Sequence, residues 1–162
     1  MAVEADDEAD REIVVSRIIE GPRQLVFDAF SSAAHLAQWC APPGKIDTRA
    51  FDFKPGGAWD ATIEGPDGNA YPNHWTWTEI VPPERIVWMY GMGGDDPHPV
   101  KSILTLAERG ATTEATLHLV FGSKEERDEK VAKYYAAQGA RRSLDALAAY
   151  VASAATNGGR NA

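Results

Sequence analysis

The side chains best suited to chemistry in this 162-residue chain are aromatic. Phe51, Phe53, Trp59, Trp75, Trp77, Trp88 and Tyr90 fall in one stretch, and most sit at alternating positions. Residues two apart on a strand share a face. Trp59 therefore goes with Ala61 and Ile63, Trp75 and Trp77 with Tyr71, Asn73 and Glu79, and Trp88 with Ile86 and Tyr90. A wall of this kind suits the burial of a small apolar or aromatic molecule. His74, Asn73, Arg49 and His118 are available to orient a polar end of it, and Tyr134, Tyr135 and Gln138 are placed to close its mouth from a later helical segment. The competing expectation is that the rings fill the core themselves, since each buries about 150–250 Å².

Other chemistries find less support. A proton-moving enzyme would need an inward polar pair such as His74 with Glu79 or Asp60, and alternation along the strands puts neither pair on one face. Asp52, Asp60 and Glu64 lie on strand segments, where carboxylates are usually solvated. His35, His74, His98 and His118 are scattered, without the i, i+4 spacing or cysteine pair of a zinc site, so no metal is expected. No nucleophile elbow is present. Cys40 stands between Trp39 and Ala41-Pro42, with no local base or cation to activate it, and reads as a small buried hydrophobe. Pro55-Gly56-Gly57 lacks the Lys and Ser/Thr that follow a phosphate loop. No cofactor is implied.

The elements that must position the aromatics follow from pattern and punctuation. Residues 11–19 are β-branched and suit a strand. Pro22 can open a helix running to about Phe30, with Leu25, Val26, Ala29 and Phe30 on one face. Ser31 and Ser32 are capping candidates for a second short helix that buries Leu36 and Trp39. Residues 45–54 and 58–64 form a hairpin around Lys54-Pro55-Gly56-Gly57, where Pro55 bars regular strand continuation and the glycines permit a tight corner. Gly65-Pro66-Asp67-Gly68 is a turn. Strands are expected at 69–80, 85–91, 98–107 and 112–121, with a mobile loop at 92–97, and short connections make the sheet antiparallel. Ser123 with Glu126 has capping-box spacing and starts a helical region reaching about Ala155. Gly139 is a break or close-packing point in it, and Ala136, Ala140, Ser143, Leu144, Leu147 and Val151 form its inner face.

Composition bounds the rest. The formal charge is −8, but Glu4, Asp6, Asp7, Glu8 and Asp10 supply five of the negative charges, leaving 19 acidic against 16 basic side chains. Residues 1–10 read as a disordered acidic leader, 11–155 as one domain, and 156–162 as a frayed tail. No basic stripe suits nucleic acid. No signal peptide is recognisable, no apolar run approaches the 18 or so residues of a membrane span, and a single cysteine fits a reducing cytoplasm.

Several segments together resemble the START-like (SRPBCC) superfamily, in particular bacterial proteins related to the activator of heat-shock protein 90 ATPase. They are Gly21-Pro22 to Phe30, Trp39-Cys40-Ala41-Pro42, Asp52 to Trp59, Gly65 to Gly68, Glu79 to Ile86 and Leu144-Asp145-Ala146-Leu147. The resemblance implies an α+β helix-grip (START-like/Bet v 1-like) fold: a curved seven-stranded antiparallel sheet around a long C-terminal helix, with two short helices after the first strand and an apolar cavity between sheet and helix. It also implies departures here. Cys40 replaces a usual second aromatic, Lys54 a usual Arg, Trp75 a common glycine and Ala140 a common aromatic, so bulk moves from helix to sheet and reshapes the cavity. Relatives include lipid and hormone binders, polyketide cyclases and chaperone cofactors, and fold alone does not choose among them. The leading expectation is a cytoplasmic binder of a small apolar or aromatic ligand, able to pair as a homodimer. The alternatives are a cyclase- or dehydratase-like enzyme and a chaperone-associated interaction module.

Overall fold

The computed structural model of the chain describes residues 11–40, 44–65, 67–91, 96–134 and 136–161. In chain order the elements are β1 (Glu12–Ile19), α1 (Arg23–Asp28), α2 (Ala33–Trp39), β2 (Ile46–Phe51), β3 (Ala58–Glu64), β4 (Ala70–Val81), β5 (Arg85–Gly91), β6 (Val100–Arg109), β7 (Thr112–Val120), α3 (Lys124–Tyr134) and α4 (Ala136–Asn161). The strands form one antiparallel sheet in the order β1-β7-β6-β5-β4-β3-β2. Strands β2 to β7 follow one another as a meander, and β1 returns to pair with β7. This is the helix-grip arrangement, a curved seven-stranded sheet with a long C-terminal helix.

Local chemistry fixes the boundaries. The Ser32 hydroxyl accepts from the His35 N–H and caps α2, while Ser123 accepts from the Glu126 N–H and caps α3, with the Glu126 carboxylate reaching back to Gly122 N–H. Each serine hydroxyl satisfies one orphan donor of a first turn, and Glu126 also fixes the Gly122 that precedes the cap. The helix of α1 is shorter than its apolar pattern suggests, since it leaves regular geometry after Asp28 and carries Phe30 in the turn that follows. The leader at 1–10 and most of the loop at 92–97 lie outside the described residues.

Helix α4 packs mainly against β1, α1, α2, α3 and β7. Its inward residues are Ala140, Leu144, Leu147, Ala148 and Val151, all buried. Ser143 is exposed, one helical step off that stripe. Gly139 is neither a break nor a close contact: it lies inside α4, and a Cβ there would meet nothing within 4 Å. Close approach occurs instead at Gly21, where a Cβ would stand 2.8 Å from Val151 Cγ1. The Gly21 carbonyl also accepts the buried Thr113 hydroxyl at 2.8 Å. The β1–α1 corner, β7 and the C-terminal helix are thereby joined at one point. Helix α4 runs to Asn161.

Candidate functional site

Strand register turns the sequence's alternation into a layer. Trp59 lies opposite Trp75 across β3 and β4, and Trp75 and Trp77 lie opposite Tyr90 and Trp88 across β4 and β5. All five therefore project from the concave face. Trp75 is the hub: it stacks on Trp88 at 4.6 Å between centroids, and meets Trp59 edge-on at 4.8 Å and Trp77 at 5.6 Å. Tyr90 adds an edge at 6.4 Å. Phe30 lies over the pair, 5.7 Å from Trp88 and 6.5 Å from Trp75, and rests edge-on against Trp39 of α2 at 5.0 Å. At the other end of the layer Phe53 meets Trp77 at 4.8 Å, stacks with Phe51 at 6.2 Å and touches Phe27 of α1 at 5.8 Å. Offset and edge-to-face contacts of this kind are the favoured aromatic geometries.

Exposure separates these rings into two groups. Trp59 and Trp77 are 0% exposed, so protein encloses them fully. At these two positions the rings fill the core. Trp75 and Trp88 retain 8% and 4%, Phe51 and Phe53 are half-buried, and Tyr90 is 41% exposed. The accessible part of the layer is thus the Tyr90–Trp75 end and the Phe51–Phe53 end.

The indole N–H groups complete the picture, because a buried donor needs a partner. Trp59 donates to Thr48 Oγ1 at 3.0 Å, Trp39 to the Ala29 carbonyl at 3.0 Å, and Trp75 to Asn73 Oδ1 at 3.2 Å. The Trp77 N–H and the Asn73 Nδ2 group are buried without a partner. Asn73, 3% exposed, shares the concave face with Trp75 and Trp77. Ser102 also stands on this face, 2% exposed and directly opposite Trp88. Sequence reading passed over Ser102, although it interrupts the inward series Val100, Leu104, Leu106.

Near Tyr90 the layer meets polar groups. Burial raises the Tyr90 phenol pKa, and the proximity of Cys40 and Asp96 raises it further. Burial pushes the Cys40 thiol far up as well. Some of the Cys40 residue remains accessible, but its sulfur is enclosed, and a thiol held protonated is a poor nucleophile.

Other expected site residues are elsewhere. His74 and Asp60 are cross-strand partners on one face, contrary to the expectation from alternation, but that face is the outer one, opposite Trp59 and Trp75. Arg49 binds both Asp60 oxygens, at 2.9 and 3.2 Å, and holds its carboxyl below the usual range, with His74 Nδ1 3.7 Å away. His118 is also on the outer face, 3.2 Å from Glu12 Oε2 but without hydrogen-bond direction. Asp52 pairs with Lys54 and Glu64 with Lys45. Glu79 pairs with Arg85 at 3.0 Å, beyond a register shift that follows Trp77 and ends the regular alternation. Gln138 is exposed on α4. Tyr135 and the side chain of Tyr134 lie outside the described residues. An open cleft of about 400 Å³ lies between β1 and α4, lined by Val14, Val15, Ser16, Arg17, Arg141, Leu144 and Asp145, with Arg17 paired to Asp145 across it. It is on the opposite side of the sheet from β3–β5. Among the described residues no cluster of His, Cys, Asp and Glu could hold a metal ion, and no helix is long and apolar enough to cross a membrane.

Residues 20–152 match the family described as "Activator of Hsp90 ATPase homolog 1-like protein". The chain belongs to this family. The fold is similar to protein Ms6760 from Mycobacterium smegmatis, with TM-score 0.79 and 21% identity over 91% of this chain and 95% of that one. It is similar to a protein from Nitrosomonas europaea, with TM-score 0.78 and 18% identity over 91% and 98%. A protein from Arthrobacter aurescens gives TM-score 0.78 and 19% identity over 91% and 89%. At these identities the likeness concerns fold. No curated protein matches the chain.

Proposed function

We propose that this protein binds a small apolar or aromatic molecule between the concave face of β3–β5 and the helices, at the Tyr90–Trp75 end of the aromatic layer, and does not transform it. The observation that carries this reading is how the helices are placed. Helix α4 backs the β1–β7 side of the sheet, whereas the β3–β5 side is covered by rings from α1, α2 and the turn between them. Rings held by edge and stacking contacts can re-pack around a flat guest at lower cost than a helix can move. A guest of the size of two fused rings, removed from water over its apolar surface at about 25 cal/mol per Å², would gain several kcal/mol before ordering costs. Orientation would come from the few polar groups at that end. The outer-face position of His74 with Asp60 takes away that pair from the cyclase or dehydratase reading.

Tryptophan fluorescence and thermal shift measured with 2-ethylnaphthalene test the proposal. Binding should raise the melting temperature and perturb indole emission, and Trp75→Leu should weaken it at least fivefold. If no aromatic probe stabilises the folded protein, or if Trp75→Leu binds as the natural chain does, the site has been placed wrongly.

A further inference from the structure

Asn73 is an unusual choice for a strand position among tryptophans. Asn is depleted in strands, and an apolar residue of similar volume would fill the same space without a polar group to desolvate. Its amide orientation is determined by chemistry. The Trp75 indole N–H can only donate, so the atom that receives it at 3.2 Å must be the Asn73 oxygen. The Nδ2 group, with two N–H donors, is therefore the one left buried and unpartnered on the concave face. Local violations of this kind collect at functional sites, where the partner comes from outside the fold.

Its surroundings define what would satisfy it. Nδ2 offers donors only, so the partner must be an acceptor. Trp75 supplies a flat apolar neighbour on the same face, and Tyr90 an accessible ring edge. The buried Ser102 hydroxyl on this face stands opposite Trp88 and does not bond Nδ2. Among the described residues the neighbours of Asn73 and Trp75 on this face of β3, β4 and β5 include no Lys, Arg or His, which favours a neutral carbonyl over a carboxylate as the acceptor.

We infer that the ligand is an aromatic ketone or a similar carbonyl-bearing ring compound, whose oxygen accepts from Asn73 Nδ2 while its ring lies against Trp75. This rests on the binding proposed above and adds the chemical class. The carbonyl oxygen takes the free donor, and Trp75 keeps its own bond to Asn73 Oδ1. The amide of Asn73 is then satisfied at both ends, by Trp75 and by the ligand.

A matched pair of probes separates the two claims: 2-ethylnaphthalene and 2-acetylnaphthalene have nearly the same shape and differ by a carbonyl oxygen in place of two hydrogens. Both are titrated into ¹⁵N-labelled full-length protein, following the tryptophan indole and asparagine side-chain signals. The ketone should bind at least about fivefold more tightly, the advantage of one hydrogen bond to an otherwise unsatisfied donor. It should also move the Asn73 side-chain amide protons downfield, as a new hydrogen bond does, relative to the hydrocarbon, whose ring current alone acts on them. In Asn73→Leu the preference should fall below about twofold, with hydrocarbon binding retained. If that variant does not fold, the Asn73 signals of the natural chain still decide the matter. Equal affinities for the two probes, or a ketone that moves those signals no further downfield than the hydrocarbon does, would overturn the assignment of the carbonyl while leaving the apolar site intact. Binding of neither probe would overturn the site itself. A preference that survives Asn73→Leu but vanishes in Trp77→Phe would place the oxygen on the other unpartnered donor and refute the role given to Asn73.

Discussion

The Lys54-Pro55-Gly56-Gly57 corner offers a sharp test, because its two glycines are constrained by different physics. Gly56 has φ +87°, a conformation L side chains rarely adopt, yet a Cβ there would meet nothing within 4 Å. Gly57 has no such φ, but a Cβ would stand 2.2 Å from the Asp52 carbonyl oxygen and 3.1 Å from its carbon. A carbon and an oxygen in contact normally keep about 3.3 Å, so the Asp52 carbonyl would have to retreat by roughly 1 Å. That carbonyl accepts from Lys54 N–H at 3.0 Å, and the corner is pinned to β4 by Gly56 N–H to the Trp77 carbonyl at 2.7 Å and Trp77 N–H to the Gly57 carbonyl at 2.9 Å. Gly56→Ala should cost about 1–2 kcal/mol, the left-handed penalty alone. Gly57→Ala should cost about 3 kcal/mol, the upper end of overpacking, since backbone rather than a flexible side chain must yield. At about 2–4 °C per kcal/mol for a domain of this size, the melting temperatures should fall by roughly 2–8 °C and 6–12 °C respectively. Unfolding followed by circular dichroism and by tryptophan emission measures both, and only Gly57→Ala should also alter the native emission, through Trp77. An equal or larger loss for Gly56→Ala would refute the reasoning, because it would mean that φ, not the carbonyl contact, sets the corner.

Two further outcomes follow from packing and from burial. Gly21→Ala should destabilise by about 1–3 kcal/mol, but nearly nothing in a Val151→Ala background, since the clash is with Val151 Cγ1; a cycle in which the two losses simply add would show that the contact does not limit the approach of α4. The Cys40 thiol is raised by burial, whereas in the unfolded chain it titrates near 8.5. The stability it contributes is fully present below that pH and is lost as pH rises, because the unfolded state releases its proton first. Between pH 8.5 and 9.5 urea unfolding should show the natural chain losing about 1 kcal/mol more than Cys40→Ala, and parallel pH profiles for the two proteins would contradict an enclosed sulfur.

Much of the fold was legible because its signals are local. The Ser32 and Ser123 caps, the KPGG corner and the β-branched runs each act within a few residues, and the structure places strands and helices close to where those signals put them. Gly139 and Ser143 were misread for a common reason. A glycine or a small residue on a helix marks a close contact only if something approaches it, and the approach here comes from Gly21, more than a hundred positions away. The faces of His74 and Asp60 failed differently. Alternation assigns sides within one strand, but only register says which sides of two strands coincide, and the pairing of Asp60 with His74 aligns the faces opposite Trp59 and Trp75. Ser102 was hidden by the same limit, because its neighbour Trp88 is a cross-strand partner.

The aromatic layer shows why counting rings could not decide between a filled core and a pocket. The same strands contain both. Trp59 has no exposed surface and its N–H is satisfied by Thr48, so it behaves as an ordinary core residue. Trp75 touches more rings than any other residue here, keeps an accessible edge, and is bonded through its N–H to an asparagine whose other end is unsatisfied. A core built for stability alone has little use for that asparagine, because its one bond to Trp75 is set against an unpaired buried donor. Replacing Asn73 by Leu removes the unpaired Nδ2 but also strands the buried Trp75 N–H, so the two desolvation terms offset and the free protein should change in stability by less than about 1 kcal/mol, while discrimination for a carbonyl is lost. Recognition lost with little change in stability is the mark of a residue kept for binding.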